Sequence, residues 1–258
     1  LCTLIILYGI LADHSVVALH NRYAFLGAKE KPPTIIEGKK RVCCPIDVNS
    51  QGTWIGFNQE GLFLAVTDQH TGEEGRPLKS RGKLALRVLL EFSRAEDAAK
   101  YLAEEISQGY RKGNYMVADR ENFFHLLYDG KVYQWRLSRG IHVFTNLTKL
   151  PHMKLEGEPE KIYQRASVRK RRALELAVRL LEIGNIDLVV EELKAIASDH
   201  GNGPGETSIC YHGKEKWFMS SSTIVAVNID VRRSRLLYCR GNPCLNPFID
   251  YSGLVQKL

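Results

Sequence analysis

Cys2 stands at the head of the apolar run Cys-Thr-Leu-Ile-Ile-Leu-Tyr, one proteolytic step from the start of the chain. A cysteine with a free α-amino group carries nucleophile and base on one residue, because the amine, with an unperturbed pKa of about 8, takes the thiol proton near neutrality. Methionine is trimmed only before small residues, and cysteine is one of them. The sequence begins with Leu1, which does not fit that step, and while Leu1 precedes it Cys2 has no free amine.

Other reactive side chains are more dispersed. Histidines stand at positions 14, 20, 70, 125, 142, 152, 200 and 212, with no HExxH or similar metal spacing. His20 and His142 could flank a site around Cys2, although an ordinary polar role is the plainer reading. Cys43 and Cys44 are adjacent and Cys239 and Cys244 lie five apart, so neither pair is a CxxC. That argues against a structural zinc site, and no metal or cofactor is expected. A Cys239 to Cys244 disulfide around Gly241 and Pro243 is the alternative to free thiols, which are the default in the cytoplasm, where the chain is expected to reside. Arg165, Arg169 and Arg172 share a helix face within a basic run. That stripe reads as solvated; contact with phosphates, including a coenzyme A moiety, is the sharper alternative. Without interleaved aromatics it is no nucleic-acid motif, and no nucleic-acid partner is expected. Trp54, Phe57, Phe63, Phe123 and Phe124 read as core, or as the lining of an apolar pocket.

These residues must be positioned by strands and helices. Residues 2–8 and 15–20 are apolar, β-branched runs separated by Gly9 and Asp13, which predicts a hairpin of two central strands holding Cys2. Residues 26–40 carry Pro32, Pro33 and several charges and read as a surface loop. Residues 53–57 and 62–67 flank the turn Asn58-Gln59-Glu60-Gly61 as a second hairpin. After the polar, glycine-rich stretch 68–77, Ser80 is a candidate N-cap for a helix to about residue 92, followed by a second over 95–107. Strands are expected at 115–118, 123–128, 132–136 and 142–145 as a meander, with Asp129-Gly130 as a hairpin turn. Helices over 162–183 and 186–197, broken at Gly184-Asn185, precede strands at 207–211, 223–229 and 235–238.

The order strands, helix pair, strands, helix pair, strands shows no βαβ alternation. Two antiparallel sheets packed face to face with a helical layer outside each would bury every element, so the fold class is α+β, a four-layer αββα sandwich in one domain over 1–258. An α+β domain with all helices on one face is the other arrangement this order allows. With 44% hydrophobic and 25% charged residues the chain reads as globular rather than disordered or fibrous. The net charge of +7 would draw anionic partners by long-range attraction, but a solvated basic surface explains it as well. The apolar stretch 1–12 lacks a basic flank and is too short to span a bilayer, so no stable membrane insertion is expected. A homo-oligomer is left open.

Several short segments resemble one known family in the order in which they occur. These are the opening Cys-Thr-Leu; Val17-Ala18-Leu19-His20-Asn21-Arg22 with Phe25-Leu26; Gly52-Thr53-Trp54-Ile55-Gly56-Phe57-Asn58; Ser80-Arg81-Gly82; Gly140-Ile141-His142-Val143-Phe144-Thr145-Asn146; and Ser220-Ser221-Ser222-Thr223. Together they resemble the NRDE family, which includes the transport and Golgi organisation protein 2 group, over nearly the whole chain. The family is grouped with the N-terminal nucleophile hydrolases, whose αββα sandwich agrees with the layer order above, and whose better-characterised members are cholylglycine and penicillin V amidases.

The resemblance implies that Cys2 is the nucleophile, that Arg22 is the cation favouring its thiolate, and that Asn146 is an oxyanion donor. A turn or cap is the other reading of Asn146. The family's Asn-Arg-Asp-Glu reads Asn21-Arg22-Tyr23-Ala24 here, so both signature carboxylates are missing. Asp68, which follows threonine where the family more often has asparagine, could supply a carboxylate from another strand or simply begin a loop. Trp217-Phe218-Met219 stands where an arginine is expected before the late serines. The implied function is an N-terminal cysteine hydrolase acting on an amide bond of a small molecule. The alternative is a non-catalytic binding or trafficking protein for an apolar ligand such as acyl-CoA or haem.

Overall fold

The chain begins with an all-buried strand, β1 (Thr3–Tyr8), which turns back through Gly9 into β2 (His14–Phe25). The structure is a computed structural model that describes residues 2–72, 78–201, 203–213 and 217–258; Leu1 and the end of the glycine-rich stretch, 73–77, lie outside it. Both strands are apolar on alternate residues in two directions, because each face has a layer to bury against. Leu4, Ile6, Val16 and Ala18 point to the facing sheet, while Ile5, Leu7, Val17 and Leu19 point to helices.

The expected loop over residues 26–40 is instead partly a strand, β3 (Glu30–Ile36), followed by β4 (Val42–Asp47). Pro32 and Pro33 suggested a loop, but β3 is the edge of its sheet, where the missing N–H groups cost no ladder, and its pairing slips between Lys31 and Thr34. β5 (Ile55–Asn58) and β6 (Phe63–Asp68) form the expected hairpin, and β7 (Gly113–Ala118), β8 (Phe123–Tyr128) and β9 (Val132–Arg136) complete a seven-stranded antiparallel sheet in the order β3-β4-β5-β6-β7-β8-β9. The fourth strand of the expected meander, β10 (Gly140–Thr145), leaves this sheet and pairs with β1. With β11 (Trp217–Asn228), β12 (Arg235–Arg240) and β13 (Ile249–Asp250) it makes a second, six-stranded sheet, β10-β1-β2-β11-β12-β13.

α1 (Arg81–Glu91), capped by the Ser80 hydroxyl accepting from the Lys83 amide, and α2 (Ala95–Glu105) cover the larger sheet. α3 (Glu158–Ala177), continued by a 3-10 turn to Glu182, and α4 (Ile186–Ala197), capped by Asn185, cover the smaller one. Helices therefore lie on both outer faces, and the arrangement is the expected αββα sandwich rather than the one-sided alternative. Leu84, Val88 and Leu89 of α1 are fully buried, each contributing about 1.5–3 kcal/mol through apolar burial. Residues 207–211, expected as a strand, are a loop whose carbonyls serve side chains of β2. The Asn21 Nδ2 donates to the Ala197 and Ile209 carbonyls at 3.0 and 2.9 Å, and the Tyr23 hydroxyl donates to the Ile209 carbonyl. No helix among the described residues is long and apolar enough to cross a membrane.

Candidate active site

The β1 ladders align Thr3 with Asn21 on one side and with Thr145 on the other. One step further, at the end of the strand, Cys2 falls between Arg22 and Asn146, so three of the four residues singled out from the sequence meet at one sheet end. Cys2 is buried against Tyr23, Cys210 and Met219 and lines a cleft of ≈ 960 Å³ that opens between the two sheets. Asp68 reaches the same cleft from the end of β6 in the facing sheet.

Arg22 is not an isolated cation. Its guanidinium donates to Glu30 at 2.6 Å and to Asp47, touches the Ser220 hydroxyl at 3.3 Å, and lies 4.2 Å above the Trp54 ring. Glu30 and Asp47 belong to β3 and β4, so carboxylates missing beside Arg22 in the sequence reach it from the other sheet. No local signal could have revealed this, because the pairing depends on how the sheets stack.

Asp68 does not fill that gap, because its carboxylate is engaged by Arg81 and by His70 at 3.2 Å. Burial alone would raise its pKa; Arg81 and the hydrogen bond to His70 outweigh this and hold it well below the usual carboxylate range.

Asn146 is buried, and its Oδ1 accepts from Arg169 at 2.7 Å. It is neither a cap nor, by its position, part of the cleft lining. Among the described residues no hydrogen bond engages its Nδ2. A seam between the sheets fixes its backbone: the Thr67 hydroxyl donates to the Thr145 carbonyl at 2.9 Å and the His70 amide to the Asn146 carbonyl at 3.0 Å.

Arg169 overturns the expectation of a solvated basic stripe. It is 1% exposed, whereas its neighbours on the stripe stay partly exposed, Arg165 pairing with Glu206 at 2.6 Å and Arg172 with Asp199 at 2.8 Å. The Arg169 guanidinium donates to the Glu206 backbone carbonyl and to Asn146, and no carboxylate lies within ion-pair distance of it among the described residues. Burial lowers its pKa, opposed by nearby Tyr23 and Cys2. Periodicity gives the stripe a common face without saying which way that face points.

His20 lies on the cleft floor, fully buried and lowered to about 3 by burial and by Arg22, hence neutral. Neither ring nitrogen makes a well-formed hydrogen bond, although the Trp54 backbone lies beside the ring. His142 is far down β10, opposite Ile6, and takes no part. Of the expected aromatics, Phe57, Phe63, Phe123 and Phe124 are core and Trp54 lines the cleft. Trp217, in place of the family's arginine, stacks on exposed Phe25 with ring centroids 3.8 Å apart at the cleft rim.

All six cysteines are free, and the Cys239 thiol faces the Asn246 carbonyl at 3.3 Å rather than Cys244. Behind the cleft, Cys244 meets Cys210, His212 and His200 in a four-residue cluster that the sequence spacing conceals.

The fold is that of the N-terminal nucleophile hydrolases. Penicillin V acylase from Agrobacterium tumefaciens superposes with a TM-score of 0.60 at 15% identity, covering 97% of this chain and 86% of that one. The mutant C2A of conjugated bile acid hydrolase from Clostridium perfringens gives 0.56 at 14% identity, covering 97% and 96%. The Caenorhabditis elegans orthologue of N-acylethanolamine-hydrolyzing acid amidase gives 0.55 at 10%, covering 89% and 93%. No curated protein sequence matches the chain. The family profile of Transport and Golgi organisation 2 matches residues 1–231, so the chain belongs to the Transport and Golgi organisation 2 family.

Proposed function

We propose that this protein is a cysteine acyl-transfer hydrolase that cleaves an amide bond in a small molecule. The observation that carries the reading is the placement of Cys2 at the end of a central strand, in the cleft, between Arg22 and Asn146. Once Cys2 is the first residue, its α-amine takes the thiol proton as sulfur attacks the amide carbonyl. Negative charge then develops on the carbonyl oxygen, for which the Asn146 Nδ2 is the side-chain donor, its other end being held by Arg169. Proton transfer from the α-amine to the departing nitrogen leaves a thioester on Cys2, and water hydrolyses it. The buried charge of Arg169 adds positive potential on this side of the site.

The cleft supports a substrate with an apolar acyl part and an anionic end. Phe25, Leu26 and Trp217 offer apolar surface at one rim, and Arg111 offers a cation elsewhere in the lining, where Arg81 is already paired with Asp68. Penicillin V acylase and N-acylethanolamine-hydrolyzing acid amidase are named for acyl chemistry, which agrees with this class. The test is turnover of a panel of N-acyl amides by protein whose first residue is verified as Cys2. Product formation that disappears in Cys2→Ala is expected; turnover that persists in Cys2→Ala would overturn the reading.

One observation favours a second reading, a binding protein for acyl-CoA or haem without turnover. Arg22 is compensated by two carboxylates, while neutral His20 sits in the cleft floor without a well-formed partner. An apolar ligand would fit such a floor, and for haem the His20 imidazole or the Cys2 thiol is the available ligand. Binding to the native state must raise the melting temperature, so unchanged absorption and melting across both titrations would rule this reading out.

A further inference from the structure

Four side chains converge on one point between the loop that follows α4 and the turn that follows β12. The Nε2 atoms of His200 and His212 are 3.0 Å apart, the Sγ atoms of Cys210 and Cys244 are 3.5 Å apart, and His212 Nε2 lies 3.1 Å from Cys244 and 3.8 Å from Cys210. All four atoms fall within 4.8 Å of one another. Tetrahedral zinc with bonds of about 2.3 Å to sulfur and about 2.0–2.1 Å to nitrogen sets its ligand atoms roughly 3.3–3.8 Å from each other. The cluster already has close to that spacing.

We propose that His200, Cys210, His212 and Cys244 are the ligands of a structural Cys2His2 zinc site. A central cation would take a lone pair from each of the two imidazole nitrogens and the two sulfurs that converge here. On binding, both thiols release their protons to solvent, so two thiolates neutralise Zn²⁺ and no net charge is buried. Two sulfurs and two nitrogens in a tetrahedral set favour zinc over the hard, oxygen-seeking cations. The backbone around the ligands is already braced. The Cys210 amide donates to the Asp199 carbonyl at 2.9 Å, the His212 amide to the Pro204 carbonyl at 3.0 Å, and the Asn242 Nδ2 to the Tyr211 carbonyl at 2.8 Å. The Asn242 Nδ2 also lies 3.6 Å from the Cys210 sulfur, where an N–H group orients a ligating thiolate.

The site would staple the loop that supports the Cys2 end of the cleft. The Glu206 carbonyl in that loop holds Arg169, the Ile209 carbonyl holds Asn21 and Tyr23, and Cys210 packs with Cys2 itself. The role is structural, because all four positions are taken by protein and no open position is left for a water or substrate.

The test uses the full chain, purified without a metal-affinity tag under reducing conditions, with metal measured by elemental analysis. About one zinc per chain is expected, held by the protein as isolated or after dialysis against zinc, and lost in Cys210→Ser and in His212→Gln but kept in Cys239→Ser. Cobalt added to metal-stripped wild type should give the intense visible bands of a tetrahedral site and a thiolate charge-transfer band. This readout needs only the folded wild type and holds even if a ligand variant fails to fold. Chelation should lower the melting temperature of the wild type. Absence of stoichiometric zinc after dialysis, a cobalt spectrum without the thiolate band, or a Cys210 to Cys244 disulfide in protein kept under reductant would overturn the proposal.

Discussion

A guanidinium gripped by two carboxylates presents little positive potential to a third group, and Arg22, held by Glu30 and Asp47, is in that position. Arg169 differs: its partners are a backbone carbonyl and an amide oxygen, and its charge is buried near Cys2. Charges interact more strongly when partly desolvated, so an anion developing at Cys2 depends more on Arg169. Iodoacetamide alkylation of Cys2, followed by peptide mass spectrometry, should therefore slow several-fold in Arg169→Gln and change less in Arg22→Gln, with thermal melts confirming that both fold; the reverse order would return the role to Arg22. Asn21, inside the same motif, has a structural task. It donates to the Ala197 and Ile209 carbonyls and accepts from the Ser222 hydroxyl at 2.7 Å. Asn21→Ala leaves these buried groups unpaired, at about 1–3 kcal/mol each, so a loss of at least about 2 kcal/mol in urea denaturation is expected.

At the scale of elements, two of the motif segments turn out to touch. Gly52 precedes β5 and Gly82 lies in the first turn of α1, and a Cβ on Gly52 would lie 2.2 Å from the Gly82 carbonyl carbon. Neither backbone can retreat easily, since the Thr53 amide donates to the Gly82 carbonyl at 3.0 Å. Gly52→Ala should destabilise by about 1–3 kcal/mol or more through overpacking, read as a lower Tm. Gly184, between the 3-10 turn and α4, has open space where a Cβ would stand, with no neighbouring atom within 4 Å, and Gly184→Ala should be neutral or stabilise by up to about 1 kcal/mol. Most strands and both helix pairs were legible because their patterns are local: alternating apolar residues, the Ser80 cap, the Asn185 break. β3 was hidden by Pro32 and Pro33, which an edge strand tolerates, and the exit of β10 to the other sheet follows from packing rather than from its own residues. The same holds for the site. Cys2, Arg22 and Asn146 could be singled out as candidates because each lies in a motif, whereas Glu30, Asp47 and Arg169 become neighbours of them only when sheets and helices stack.

For the molecule as a whole, burial of two neutral histidines links stability to pH. His20 is lowered to about 3 by burial and then by Arg22; His125 is lowered to about 3 by burial and then by Lys170 and His142. Unfolded, both would take up a proton near pH 6.5. Between these limits the unfolded chain binds more protons, so the stability they confer is fully present above about pH 6.5 and falls as pH drops toward about 3, by up to about 1.4 kcal/mol per pH unit for each. Urea denaturation at several pH values across this window should show the decline, with a shallower slope in His125→Gln. The sandwich that buries these histidines also sets Cys2 in the lining of its cleft, and the proposed chemistry stands or falls on that thiol becoming an acyl carrier. The direct measurement is peptide mass spectrometry after brief incubation of Cys2-initiated protein with an activated N-acyl amide and acid quenching. The expected result is an acyl mass on the N-terminal peptide, labile to hydroxylamine as a thioester is, and absent while a residue still precedes Cys2. An unmodified N-terminal peptide beside released product, or acyl groups on the other cysteines alone, would contradict it.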